Sequence, residues 1–140
     1  MNITIIIPTR NRFDELKKLL LYYKKNNFNG SIFLVDSSHE NNFKKTKNFL
    51  KKLNNKKIKH YRFIGRPFEC TKYVSKKIKT KYVCWSGDDD YYIVKGMQDT
   101  IRILEKNNKI DAVNGLSILA KILKNKNFFS YKRFSIYENF

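Results

Sequence analysis

Short apolar runs that suit β-strands alternate with amphipathic segments along most of this chain. Residues 3–7 are all β-branched and are bounded by Pro8, which favours a buried parallel strand, because these side chains are stiff about χ1 and the run is too short for a helix. From Phe13 to Tyr23, apolar residues recur at spacings of three and four, which predicts an amphipathic helix that Asn11 is expected to cap. The chain therefore opens as strand, loop and helix.

The same alternation continues beyond the first helix. Further strands are expected at residues 31–35, 58–64 and 82–85, with a fifth beginning at 112–115, and further helices within 43–53, 68–78 and 93–106. Alternating strands and helices with short connections are typical of a sheet whose strands are mostly parallel and joined by right-handed crossovers. The sequence therefore predicts an α/β fold.

Polar side chains follow three of these strands at the points where the strands end. They are Pro8, Thr9 and Arg10 after the first strand, Asp36 after the second, and Asp88, Asp89 and Asp90 after the fourth. Ligands of parallel α/β sheets bind at the carboxyl ends of the strands, so these clusters are expected to converge on one crevice. Adjacent carboxylates repel one another, which favours a bound cation or several hydrogen-bond donors beside them.

Each cluster also has an ordinary structural explanation. The acidic triplet is alternatively a solvated turn, and Asp36 is alternatively an Asx-turn residue. Thr9 is alternatively a helix cap, and Arg10 a solvated surface charge. It is the expected convergence of the clusters that favours a ligand site.

The ordered motifs resemble a known family. Ile-Ile-Ile-Pro-Thr-Arg-Asn-Arg after the first strand, Val-Asp-Ser-Ser after the second and Gly-Asp-Asp-Asp after the fourth are similar, over residues 2–115, to the family 2 glycosyltransferases of the GT-A fold. Enzymes of that family move a sugar from a nucleotide diphosphate sugar to an acceptor. The resemblance implies a metal-dependent and inverting transfer to a glycan or a lipid-linked acceptor.

The resemblance also implies roles for the polar side chains. The nucleotide is assigned to Pro8, Thr9 and Arg10, its base to Asp36, its ribose to Asp88, and a divalent cation to Asp90 with Asp88. Asp89 is expected to assist either the ribose contact or the cation. Oxygen ligands favour Mg²⁺ or Mn²⁺ over Zn²⁺. The cation is expected to act as a Lewis acid on the leaving diphosphate.

The sequence departs from the family in its acceptor half. An inverting transferase needs a general base, and no catalytic residue is assigned here. Glu138 is the only carboxylate after Asp111, and its surroundings do not match the family's base motif. We therefore expect a nucleotide-sugar-binding domain over residues 1–116, an incomplete acceptor-side segment or tail over 117–140, and slow sugar transfer by a truncated domain.

The formal net charge of +18, from 30 Lys and Arg against 12 Asp and Glu, predicts attraction to polyanions. A non-catalytic nucleotide- or polyanion-binding module is therefore the alternative function. Nucleic acid is the less favoured partner. Abundant Lys, Asn, Ile, Tyr and Phe is typical of an A/T-rich genome, so the positive charge is weak evidence for nucleic-acid binding. The anionic inner face of a membrane is the favoured polyanionic partner. A cytoplasmic location is expected, because the sequence has no apolar stretch long enough for a membrane-spanning helix or a signal peptide.

Overall fold

The computed structural model describes residues 1–115 in full and the backbone of residues 117–122 and 129–134. The elements, in chain order, are β1 (Ile3–Thr9), α1 (Phe13–Lys25), β2 (Ser31–Asp36), α2 (Glu40–Leu53), β3 (Ile58–Arg62), α3 (Pro67–Ser75), β4 (Tyr82–Trp85), α4 (Val94–Lys106), β5 (Ser117–Ile122) and β6 (Phe129–Phe134). The chain divides into two compact units, Met1–Ile101 and Arg102–Phe140. Glu138 lies outside the described residues, as does part of the predicted 117–140 segment.

The first unit contains a four-stranded sheet in the order β3-β2-β1-β4, with every neighbouring pair parallel. The α/β fold with alternating helices predicted from the sequence is therefore confirmed. β1 lies in the interior of the sheet, which explains its unbroken run of buried β-branched side chains from Ile3 to Ile7.

Helices cover both faces of this sheet. Side chains of α1, α2 and α4 pack with Ile5, Ile7 and Leu34 in one apolar core. On the opposite face, α3 packs Cys70 and Val74 against side chains of β1 and β2. Alternate residues of a strand point to opposite faces, so β1 and β2 supply both cores.

Two expectations about local structure were wrong. Residues 112–115 form no strand, and β5 begins at Ser117 and pairs antiparallel with β6 in a separate two-stranded sheet of the second unit. Asn11 does not cap α1, because Arg12 occupies the N-cap position and makes no side-chain capping bond. Asn11 instead adopts a left-handed backbone conformation (φ 58°), and its side-chain oxygen accepts a hydrogen bond from the backbone N–H of His39.

Candidate functional site

The loops that follow β1, β2 and β4 meet at the carboxyl edge of the sheet. β1 pairs with β2 on one side and with β4 on the other, so its end lies between theirs. The backbone N–H of Ser37 donates to the carbonyl of Thr9 (2.9 Å), and that of Ser86 donates to the carbonyl of Ile6 (3.0 Å). Polar residues from distant parts of the sequence therefore lie beside one another, as the predicted parallel order requires.

Thr9 and Asp88 form a buried hydrogen bond in this crevice. The Thr9 hydroxyl donates to Asp88 Oδ2 over 2.7 Å, and each residue is only 5% exposed. Burial raises the pKa of Asp88 above its ordinary value, because desolvation outweighs the opposing effects of the Thr9 hydrogen bond and the positive charge of Arg12. Thr9 is therefore a partner of the acidic triplet rather than a helix cap.

Arg12 is the second partner of the triplet, and sequence reasoning did not identify it. Its Nε lies 3.2 Å from Asp88 Oδ1, and a terminal guanidinium nitrogen lies 2.5 Å from Asp89 Oδ2. The hydrogen bond to Asp89 and the charge of Asp88 raise the pKa of Arg12. The one signal in the sequence that could have identified Arg12 was charge complementarity. It is the second arginine of the first loop, and that loop was expected to lie near three negatively charged aspartates.

The three aspartates of the triplet differ in environment. Asp88 is buried, whereas Asp89 and Asp90 are exposed. Asp90 Oδ2 accepts a hydrogen bond from the backbone N–H of Gly87 (3.1 Å), and the Asp90 carbonyl accepts one from the Ser86 hydroxyl (3.2 Å). The segment therefore is a turn held by its own hydrogen bonds, with one carboxylate directed into the protein and two near solvent.

Asp36 is fully buried at the end of β2, with an exposed fraction of 0%. Its Oδ1 accepts the backbone N–H of Ser38 (2.8 Å), which forms an Asx-turn, and its Oδ2 lies 3.0 Å from His60 Nε2. Burial alone would raise the pKa of Asp36, but the hydrogen bonds from His60 and Ser38 outweigh it and lower that pKa. This carboxylate holds the turn that follows β2.

A cavity of about 280 Å³ lies beside the Thr9–Asp88 pair. Its lining includes Pro8, Thr9 and Arg10, together with Gly65 and Arg66 from the turn between β3 and α3. This volume is close to the lower end for small-molecule sites, which suits part of a nucleotide. Asp36, Asp89 and Asp90 do not line this cavity.

The acidic triplet has donors of the right class for Mg²⁺ or Mn²⁺, although it is not a complete cation site. Among residues 1–115, no group of three or more His, Cys, Asp or Glu side chains is arranged to hold a metal ion. Mg²⁺ in phosphate-transferring sites is held by one or two carboxylates together with phosphate oxygens and water, so the donor chemistry of Asp88 and Asp90 suits a cation that arrives with a diphosphate. Arg12 already neutralises the inner carboxylate.

Comparison with solved structures finds similar folds. The chain superposes on S. aureus TarS 1–349 with a TM-score of 0.65 and 22% identity, covering 77% of this chain and 33% of that one. The same TarS region in complex with UDP gives a TM-score of 0.63 at 20% identity, with 77% and 33% coverage. S. aureus TarS gives 0.60 at 19%, with 76% and 20% coverage.

These likenesses show the fold alone, which this chain shares with the matching part of TarS. The chain spans a third or less of the length of the TarS chains that it matches. No model of a protein family and no curated protein matches the sequence.

Proposed function

We propose that this chain is the nucleotide-sugar-binding part of a glycosyltransferase of the family 2 type. The observation that supports it best is the buried Thr9–Asp88 pair, which lies beside a cavity at the carboxyl edge of a parallel sheet. A similar fold has been crystallised with UDP. We therefore expect a nucleotide diphosphate to bind here, with the sugar and the acceptor beyond it.

The proposed roles are those that the family resemblance implies, and the positions of the side chains that line the cavity support part of them. Thr9 and Arg10 line the cavity and bind the nucleotide with Pro8, and Arg10 suits a phosphate because its guanidinium is planar and always charged. Asp88 faces the ribose. Direct contact between Asp36 and the base stays a prediction. The hydrogen bond from the backbone N–H of Ser38 to Asp36 supports a different role, which is to fix the turn at Ser37.

The metal is assigned to Asp90, with Asp88 as second ligand. A divalent cation bound there would stabilise the negative charge of the departing diphosphate. This chain's own residues prepare the site in a different way: Thr9 and Arg12 hold the Asp88 carboxylate in one orientation. No residue is proposed as the general base. The domain limits at residue 116 and the cytoplasmic location stay predictions.

Calorimetry with UDP tests the proposal. Binding in Mn²⁺ or Mg²⁺ should be about tenfold or more tighter than in chelator, because the cation offsets repulsion between carboxylates and diphosphate. Asp90→Asn should abolish this difference. The matched control is Asp99→Asn, since Asp99 is a surface carboxylate of α4 in an i,i+4 pair with Lys95. Equal affinity with and without metal in the unmutated protein would refute the metal site, and absence of binding to UDP and to related nucleoside diphosphates would refute the donor site.

One observation favours a second function. The net charge of +18 supports a module that binds polyanions without catalysis. The two functions differ in salt dependence and in their need for Asp88.

A further inference from the structure

Two apolar side chains at the junction of β3 and α3 are largely in contact with solvent. Ile64, in the connecting turn, is 66% exposed, and Phe68, in the first turn of α3, is 78% exposed, the highest value among the large apolar residues that the structure describes. Single exposed apolar residues are ordinary, but two of them four residues apart are a feature to explain. We call the surface formed by Ile64, Arg66, Phe68, Lys72 and Lys76 the turn surface.

The geometry of α3 directs this surface away from the protein. The helix buries Cys70 and Val74 against the sheet. Phe68 and Lys72, four residues apart, therefore share the outer side. Ile64 lines a surface depression of about 510 Å³ together with Lys72, Lys76 and Glu69, so Ile64 is contiguous with two of the basic residues.

The charges of the turn surface are almost all positive. Arg66, Lys72 and Lys76 are exposed, and the one acid beside them, Glu69, accepts the backbone N–H of Arg66 (2.6 Å) at the start of α3. Exposed apolar side chains surrounded by basic ones suit the interface of an anionic bilayer, where the apolar groups enter the acyl boundary and the cations meet lipid phosphates.

Nucleic acid fits the turn surface less well. Recognition of single strands relies on aromatic rings that are open to stacking by bases. Here the rings of Phe63 and Tyr73 stack on each other, with centroids 4.5 Å apart and an interplanar angle of 17°. Tyr73 is 40% exposed, but one face of its ring is covered by Phe63. Ile64 offers no ring, so Phe68 is the single aromatic side chain of the turn surface.

We propose that the turn surface docks this domain onto an anionic lipid bilayer, with Ile64 and Phe68 entering the headgroup region and Arg66, Lys72 and Lys76 contacting lipid phosphates. The proposal goes beyond the nucleotide site and does not depend on it. The same turn supplies Gly65 and Arg66 to the cavity beside Asp88, so docking would bring that cavity close to the bilayer.

Co-sedimentation with sucrose-loaded vesicles tests this docking. The intact protein should bind vesicles of phosphatidylcholine with 30% phosphatidylglycerol, on the order of tenfold more tightly than phosphatidylcholine alone. Ile64→Ser with Phe68→Ser should weaken binding to the anionic vesicles about tenfold, since two apolar side chains no longer enter the bilayer. Leu21→Ser is the apolar control, because Leu21 is 42% exposed on α1, which packs on the opposite face of the sheet.

The high net charge makes a charge-matched control essential. Lys72→Glu with Lys76→Glu should weaken binding about tenfold or more, whereas Lys51→Glu with Lys52→Glu should have a much smaller effect. Both double variants change the net charge equally, and Lys51 and Lys52 are exposed on α2, across the sheet from α3. Circular dichroism would verify that each variant is folded.

The position of Phe68 at the bilayer gives an independent measurement. Phe68→Trp should show a blue-shifted emission with anionic vesicles and quenching by brominated lipids, beyond the signal from Trp85 in the unmutated protein. Equal losses from the two lysine variants, unchanged binding after Ile64→Ser with Phe68→Ser, or no binding of the unmutated protein to anionic vesicles would each overturn the proposal. UDP binding is measured separately, so failure here leaves the proposed function standing.

Discussion

The guanidinium of Arg12 bridges two neighbouring carboxylates, with its Nε 3.2 Å from Asp88 Oδ1 and a terminal nitrogen 2.5 Å from Asp89 Oδ2. A divalent cation arriving with a diphosphate would meet carboxylates that already have a positive partner. The Arg12 side chain is 46% exposed, so its guanidinium can leave the two carboxylates and be hydrated instead. On the proposed assignment of a metal to Asp90 and Asp88, this ion pair therefore competes with the metal for the carboxylates.

Replacing Arg12 with alanine should strengthen Mn²⁺ binding in the absence of nucleotide. The change removes the internal countercharge, and the effect at this partly solvated site should be roughly three- to tenfold. Calorimetric titration with Mn²⁺ alone measures it. Lys17→Ala, which removes one exposed charge from α1, should leave the affinity unchanged. Weaker Mn²⁺ binding by Arg12→Ala would contradict the competition.

Thr9→Val should destabilise the protein and raise the pKa of Asp88 further. The variant removes the hydroxyl that donates to a buried carboxylate, which typically costs about 1–2 kcal/mol, and Thr9→Ser should restore most of it. The pKa of Asp88 is already raised, so its charged form is the one that the fold disfavours. The difference in the free energy of unfolding between Thr9→Val and the unmutated protein, measured with urea, should therefore shrink as the pH falls and Asp88 becomes protonated. An unchanged loss down to acidic pH would contradict this assignment.

Asp36→Asn should cost about 1–3 kcal/mol at pH 7, because it weakens the hydrogen bonds of a fully buried carboxylate with Ser38 and His60. The folded-state pKa of Asp36 is below the ordinary value of 3.8, so the contribution of its charge is complete above about pH 4 and is lost as the pH falls through the lowered pKa. Urea unfolding between pH 7 and pH 3 should show the two proteins converging at the acidic end.

The control for this measurement is Glu40→Gln. Glu40 is an exposed carboxylate at the start of α2, and its pair with Lys44 spans 3.6 Å. Surface pairs of this kind contribute little, so the change should stay within about 0.5 kcal/mol. A comparable loss from both variants would indicate that burial of Asp36 is not the cause.

The sequence was sufficient for β1 to β4 and α1 to α4, because each is marked by a local pattern such as the β-branched run 3–7 or the apolar spacing from Phe13 to Tyr23. The fifth strand was misplaced because the apolar residues around Val113 carry no information about pairing partners. β5 pairs with β6, later in the chain, and only the structure reveals that pairing.

The candidate site was predictable at the level of strand ends but not at the level of side-chain partners. The positions of the polar clusters after predicted parallel strands indicated that they converge on one crevice, and the observed strand order brings Thr9 and Asp88 together. Arg12 was missed because its contact with Asp89 depends on how the first loop turns after Asn11. The inward direction of Asp36 depends on His60 in the neighbouring strand, which no local pattern near Asp36 indicates.

Salt dependence separates the donor site from the polyanion-binding alternative. If the net charge of +18 alone drives association, affinity for random single-stranded oligonucleotides should fall by more than about a hundredfold between 50 and 200 mM salt, because counterion release dominates such binding. Asp88→Ala should leave that affinity unchanged, since the lysines remain. Binding of UDP in the presence of Mn²⁺ should depend far less on salt and should be lost in Asp88→Ala. The proposed UDP site uses the buried Thr9–Asp88 pair rather than the overall charge. Fluorescence anisotropy with oligonucleotides and calorimetry with UDP measure both. Tight oligonucleotide binding at physiological salt, together with no UDP binding in metal, would favour the binding module over the transferase.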